Sequence, residues 1–257
     1  MKGAIYAVDP RARIVDLTHR SPAFDVREAA FLLAESSREF PPGVVFVAIV
    51  DPGVGTPRKP IAIRTRDDSF FIGPDNGTLI EAARLRGIGE VREIANAAYM
   101  RRGTRSATFH GRDLFGPAGA SIAKGMPFEE IGPKLQSWVE IARKVPRASK
   151  GRAAGEVVHA DAYGNLLTNI REKEMRGAGF TRGERLRVKV GAHAFTAAFV
   201  RTYGDVPGGG RLLTVGSTGR VEIAINEGNL ADTLGAGAGE AVILEPSPSG
   251  AATRPSP

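Results

Sequence analysis

The hydrophobic pattern changes character part-way along the chain, and that change limits the fold more than any other feature. The first half alternates strand-like with helix-like segments. RIVDLTH (13–19) reads as a strand, and DVREAAFLLAESSREF (25–40) has helical periodicity with Asp25 placed to cap it. VVFVAIV (44–50) is a continuous apolar run, the pattern of a strand covered on both faces. PIAIRT and SFFIG read as two further strands, and TLIEAARLRG as a helix stopped at Gly87. Such alternation predicts a mainly parallel sheet with helices on both faces.

The second half loses the helical period. RLRVKVG (185–191) alternates strictly, with Leu186, Val188 and Val190 on one side. FTAAFV, RLLTV, RVEIAI and EAVILE follow as short strands separated by glycine-rich turns. The expected architecture is therefore α/β: an N-terminal domain (1–142), a basic linker (143–154), and a smaller antiparallel β-barrel or sandwich (155–246). The end, SPSGAATRPSP (247–257), has nothing to bury and is expected to be disordered.

Composition removes several function classes. No run reaches the roughly 18–20 apolar residues that a membrane span needs, and MKGAIYAVDP is too short an apolar start for a signal peptide. The absence of cysteine excludes disulfides, thiolate catalysis and thiolate-bound metals, and makes the cytoplasm the default address. The net charge of +7 raises the question of nucleic acid. Its basic residues are scattered, however, and the clusters at 101–105 and 143–152 lack interleaved aromatics, so a solvated surface is the reading adopted.

Five stretches carry candidate chemistry. DPGVGTPR (51–58) follows the apolar run, where α/β sheets collect ligands; its glycines allow a tight loop returning Arg58 to Asp51, either as a surface ion pair or as part of a site. FHGRDLFGPAGA places His110 at the mouth of a helix, fit for proton transfer or for a structural hydrogen bond. GPDNGTL (73–79) is a turn entering a helix. DAYGNLLTNI offers Asp161, Asn165 and Asn169, either as Asx-turn residues or as readers of an adenine edge or an amino-acid head group. GSTGRVEIAINEGNLA adds Glu222 and Asn226. The remaining histidines are too dispersed for a metal site.

In this order, VDPGVGTPR, FIGPDNGTL, FHGRDLFGPAGA, DAYGNLLTNI and STGRVEIAINEG resemble the signature blocks of the S-adenosylmethionine hydroxide adenosyltransferases, relatives of the S-adenosylmethionine-dependent chlorinases and fluorinases. The resemblance covers roughly residues 1–246. It implies hydrolysis of S-adenosylmethionine to adenosine and methionine, without metal or cofactor, by a homotrimer with ligands between subunits. It implies an Asp51–Arg58–His110 catalytic triad. It also implies substrate contacts from Asp161, Asn165, Ser217 and Gly111, with Phe24 and Tyr203 either packing on the nucleoside or sitting in the core. Asp51, where the halogenating branch has an aromatic, and Gly111, where that branch has a serine or other halide-binding residue, favour water over halide. Thr218 stands where halogenases carry an arginine, so the substrate carboxylate is expected to be held differently.

One family block, TDFGxxDxYVG, lies upstream of the segment matching Met1-Lys2-Gly3, and its aspartate holds the ribose hydroxyls. The expectation adopted is a true start upstream of Met1; loss of the block would leave an unpaired strand edge and an apolar gap. Two other activities remain open at this point: a halogenase, and a non-catalytic nucleoside-binding protein.

Overall fold

A computed structural model describes residues 1–248. The chain divides into two compact units, Met1–Ala142 and Arg143 onward. The disorder expected at 247–257 falls almost wholly outside the described residues. No helix among those described is long and apolar enough to cross a membrane.

The first unit opens with α1 (Lys2–Val8) and α2 (Val26–Ser37). Asp25 caps α2 by accepting from Glu28 N at 2.9 Å, a contact worth about 1 kcal/mol in typical helices. Ala30, Leu33, Ala34 and Ser37 are buried along one face of α2 at helical spacing. Then come β1 (Val45–Val47), β2 (Pro60–Thr65), β3 (Phe70–Pro74), α3 (Ile80–Leu85), β4 (Ile88–Glu93) and α4 (Gly116–Ala123).

The four strands lie in the order β1-β3-β2-β4. Alternation along β2 and β3 splits the core in two. Ile61, Ile63 and Phe71 pack with Leu33 of α2 and Leu79–Ala83 around α3. Ala62 and Ile72 face the other way, onto Phe115, Ala118 and Ile122. Helices thus cover both faces, as expected.

Two expectations fail here. The sheet is mixed rather than mainly parallel: β1 and β3 are parallel, but β2 runs antiparallel to both β3 and β4. A four-residue turn with Asp68 at φ 56° joins β2 to β3, and a connection that short permits only a hairpin. Residues 13–19 form no strand. Val15 and Leu17 are exposed, and β1 pairs only with β3. An apolar alternation becomes a strand only when an edge accepts its backbone.

The second unit comprises β5 (Arg147–Ser149), β6 (Arg152–Ala160), β7 (Leu166–Arg171), α5 (Glu172–Ala178), β8 (Arg185–Val190), β9 (His193–Phe199), β10 (Arg211–Val215), β11 (Arg220–Ile225), α6 (Leu230–Leu234) and β12 (Ala241–Pro246). The stretch 143–154, read as a linker, therefore carries β5 and the start of β6. The order β12-β8-β9-β10-β11-β7-β6, with β12 also paired to β6, closes a seven-stranded barrel. Leu186, Val188 and Val190 all point into its core, as their alternation predicted. The barrel is mixed rather than antiparallel, because β9 and β10 are parallel. The eleven residues between them (200–210) include a helical turn at Tyr203–Asp205 and cross over instead of closing a hairpin.

Candidate active site

The loop after β1 folds back on itself. Thr56 N and Oγ1 both donate to Gly53 O, at 3.1 and 2.7 Å, and Val54 N donates to Asp51 O. Gly55 takes φ 81°, a conformation costly for other residues. At Gly53 a side chain would press on Arg58 Cγ at 3.2 Å, so the arginine stem passes over bare backbone. Arg58 Nε then donates to Asp51 Oδ1 at 2.9 Å, and Nη2 donates to Asp51 Oδ2. These side chains are only 9% and 6% exposed, so this is a buried fork and not a surface ion pair. Asn76 of the GPDNGTL turn braces the loop from behind, donating to Val50 O at 2.8 Å.

The third member arrives from another segment. Arg58 Nη2 also contacts His110 Nδ1 at 2.8 Å, across 52 positions of sequence. His110 precedes a turn in which Gly116 N bonds back to Gly111 O, five residues earlier, before α4 begins. Asp113, 1% exposed, secures this turn. It accepts from Arg112 Nε at 2.6 Å, Ser106 N at 2.7 Å and Arg101 Nη1 at 3.1 Å. The hydrogen bond from Arg112, reinforced by those from Ser106 N and Arg101, holds its carboxyl well below the usual carboxylate range despite burial. Gly111 abuts Ile49: a Cβ there would lie 3.1 Å from its Cδ1.

A second group forms on the barrel. Asp161 Oδ1 accepts from Tyr163 N and Asn165 N, both at 2.9 Å, and Oδ2 accepts from Asn165 Nδ2 at 2.9 Å. The Asx-turn reading thus holds for this loop, whose Asn165 amide is committed to Asp161. Asn169 is structural, joining Glu156 N to Lys144 O. Tyr203 OH donates to Glu222 Oε2 at 2.7 Å. Burial, then this hydrogen bond and the negative charges of Glu222 and Asp161, raise the phenol above its ordinary pKa. The Glu222 carboxylate also fills the space where Gly216 would carry a side chain, directly beneath the turn bearing Ser217. Thr218 Oγ1 is buried there without a partner. Glu222 thus joins Tyr203 to the backbone of the turn that precedes Ser217. Phe24 does not belong to the core: the residue is 77% exposed, on a backbone at φ 67°.

Two family models match the chain, the SAM hydroxide adenosyltransferase N-terminal domain over residues 1–132 and C-terminal domain over residues 155–243. The chain belongs to the SAM hydroxide adenosyltransferase family. It is 36% identical to an (R)-S-adenosyl-L-methionine hydrolase from Salinispora tropica, over 93% of this chain and 88% of that one. It is 27% identical to a fluorinase from Actinoplanes sp., over 90% and 86% of the two chains. A conserved protein from Thermotoga maritima, 37% identical, superposes with a TM-score of 0.89 over 95% and 92%.

Two residues around this family's blocks escaped the sequence reading. Phe115 lies under the guanidinium, its ring centroid 5.2 Å from Arg58 Cζ and 6.4 Å from the His110 ring. Asp75 accepts from Val139 N at 2.8 Å, and burial raises its pKa despite nearby Lys59 and Arg58. Tertiary placement makes both of them matter, and neither has a local spacing signal. Among the described residues, no three His, Asp or Glu side chains are placed to hold a metal ion.

Proposed function

We propose that this protein hydrolyses S-adenosyl-L-methionine to adenosine and L-methionine, with Asp51, Arg58 and His110 as its catalytic group. The observation that carries this reading is the buried guanidinium of Arg58 bridging Asp51 and His110. Methionine leaves C5′ as a neutral thioether, so the leaving group needs no proton. The protein must instead supply an oxygen nucleophile, aligned behind C5′ in a site poor in bulk water. Arg58 and His110 hold that oxygen, and Asp51 fixes the guanidinium that points at it. On the barrel, Asp161, Asn165, Ser217 and Tyr203 take the remainder of the substrate; Asn165 acts through Asp161, to which its amide is bonded. Phe24, exposed on its loop, is available to cover the nucleoside. Gly111 offers no side chain to a halide, and a Cβ there would sit 3.1 Å from Ile49 Cδ1. We further propose a cytoplasmic homotrimer with no resident cofactor.

Purified protein is incubated with S-adenosylmethionine, with and without chloride, and the products are separated by chromatography. Adenosine and methionine in equal amounts, independent of chloride, is the expected result. A chloride-dependent 5′-chloro-5′-deoxyadenosine would assign the halogenase instead. Nucleoside binding without product would make the chain a binding protein. Light scattering tests the trimer.

A further inference from the structure

The loop that carries Asp161 is closed on itself but fixed from outside. Between β6 and β7, Asp161 N donates to Asn165 O and Gly164 N donates to Asp161 O, both at 3.0 Å, while the Asp161 carboxylate takes the amides of Tyr163 and Asn165. A hydrogen bond that leaves the loop comes from α6. Ala231 N, a first-turn donor with no partner inside its own helix, reaches Gly164 O at 3.0 Å. The residue that begins α6 lies against the same glycine. Asn229 Oδ1 accepts from Asp232 N at 2.8 Å, and Asn229 O accepts from Thr233 Oγ1 at 2.6 Å, which fixes both its side chain and its backbone. In that pose the amide covers the bare Cα of Gly164: a Cβ there would overlap Asn229 Oδ1 and Cγ and stand 2.8 Å from Nδ2. Gly164 is buried at φ 81°, next to a Tyr163 that is 78% exposed. Helix α6 is itself anchored, since Leu230 is fully buried in the barrel core and Ala231, Leu234 and Ala236 pack against that core.

We propose that Asn229 is a positioning residue: seated on Gly164, it and α6 set where the 161–165 loop stands, and so where Asp161 meets the substrate. The inference rests on the reading above that this loop holds part of S-adenosylmethionine. A helix cap alone would not ask for the glycine. Ser, Thr, Asp and Asn all cap a helix, and a capping oxygen needs nothing from a neighbouring loop. Gly164 is required twice over, by its left-handed backbone and by the amide lying on it, so the loop and the start of α6 are fitted to each other. Asp161 is fastened to Gly164 by a backbone hydrogen bond and to Asn165 through both of its carboxylate oxygens. A displacement of Gly164 therefore carries the carboxylate with it. Asp51, Arg58 and His110 belong to the first unit, so the effect falls on binding and not on the chemical step.

The test compares Asn229→Ser with Asn229→Asp. Serine keeps a capping oxygen for α6 and loses the amide that covers Gly164; aspartate keeps both the cap and the shape. Adenosine release gives kcat and KM, and thermal unfolding shows whether each variant is folded. Titration calorimetry with S-adenosylhomocysteine, whose neutral sulfur is a poor leaving group, gives affinity without turnover. Asn229→Ser should fold, raise KM and the dissociation constant about tenfold and leave kcat within about threefold, while Asn229→Asp stays within about threefold of the parent throughout. A folded serine variant with the parent's KM and dissociation constant would reduce Asn229 to a helix cap and overturn the proposal. So would a fall in kcat at unchanged KM. If the serine variant does not fold, amide exchange on the parent decides: S-adenosylhomocysteine must slow exchange at 229–233 as well as at 161–165, and protection confined to the loop overturns the proposal. A parent that binds S-adenosylhomocysteine but releases no adenosine refutes the hydrolase reading alone, and the dissociation constants then decide Asn229. A parent that neither binds S-adenosylhomocysteine nor releases adenosine overturns both.

Discussion

Arg58→Lys isolates what a guanidinium does that a charge alone cannot. Arg58 uses three of its five N–H bonds inside the triad, two on Asp51 and one on His110, and keeps two on Nη1. A lysine ammonium has three donors on a flexible stem. Satisfying Asp51 and His110 leaves at most one for the nucleophile, with no plane to fix its direction. Removing one preorganised donor to a reacting oxygen typically costs about 10²–10³ in rate, so kcat should fall by that factor with KM little changed. Stability should change modestly, since Asp51 keeps a cation. Arg58→Ala, by contrast, strands a carboxylate that is 6% exposed and should cost about 3–5 kcal/mol as well as turnover. The assay is initial-rate adenosine release, run beside thermal unfolding on the same preparations. A lysine variant with kcat within threefold of the parent would refute the argument that fork geometry, and not charge, is what the loop supplies.

Other perturbations separate the supporting contacts. Phe115→Leu keeps an apolar floor but loses the ring beneath Arg58, a contact worth about 1–2 kcal/mol when desolvated, so kcat should drop about tenfold at unchanged KM. Asp113→Asn removes a carboxylate whose pKa is depressed in the fold. The stability it supplies is fully present above about pH 4 and declines as pH falls below that, so the difference between the unfolding midpoints of parent and variant should be largest at pH 7 and shrink progressively in acid. Glu222→Gln keeps an acceptor for Tyr203 while removing the charge that helps raise its pKa. Spectrophotometric titration should show one tyrosine ionising at lower pH, and KM for S-adenosylmethionine should rise.

Much of the fold was legible because local and tertiary demands agree. The α2 face, its Asp25 cap, and the alternation of Leu186, Val188 and Val190 each state in sequence what burial later requires. Strand direction was not legible from the strands themselves. Nothing in PIAIRT or SFFIG encodes antiparallel pairing; only the shortness of the turn between them does. RIVDLTH shows the reverse case, a strand-like pattern that stays irregular because no neighbouring edge pairs with it. In the site, DPGVGTPR could be read because its partners lie seven residues apart and its glycines mark the bend. His110 could be attached to them only through the family blocks, since no local signal spans 52 residues.

Phe115 shows why periodicity fails where function concentrates. On an ideal α-helix, residues five apart point roughly 140° away from each other, so His110 and Phe115 would not be placed on one face. Here Gly116 N reaches back five residues to Gly111 O, and the widened turn brings both rings toward Arg58. Such single-turn expansions are rare and gather at functional sites. At its start Gly111 packs closely, a Cβ there lying 3.1 Å from Ile49 Cδ1, and its anchor is Asp113, which ties the turn to Ser106 N, Arg101 and Arg112. The GRD of FHGRDLF thus opens a turn by one residue, so that an imidazole can accept from a guanidinium and still present its remaining N–H.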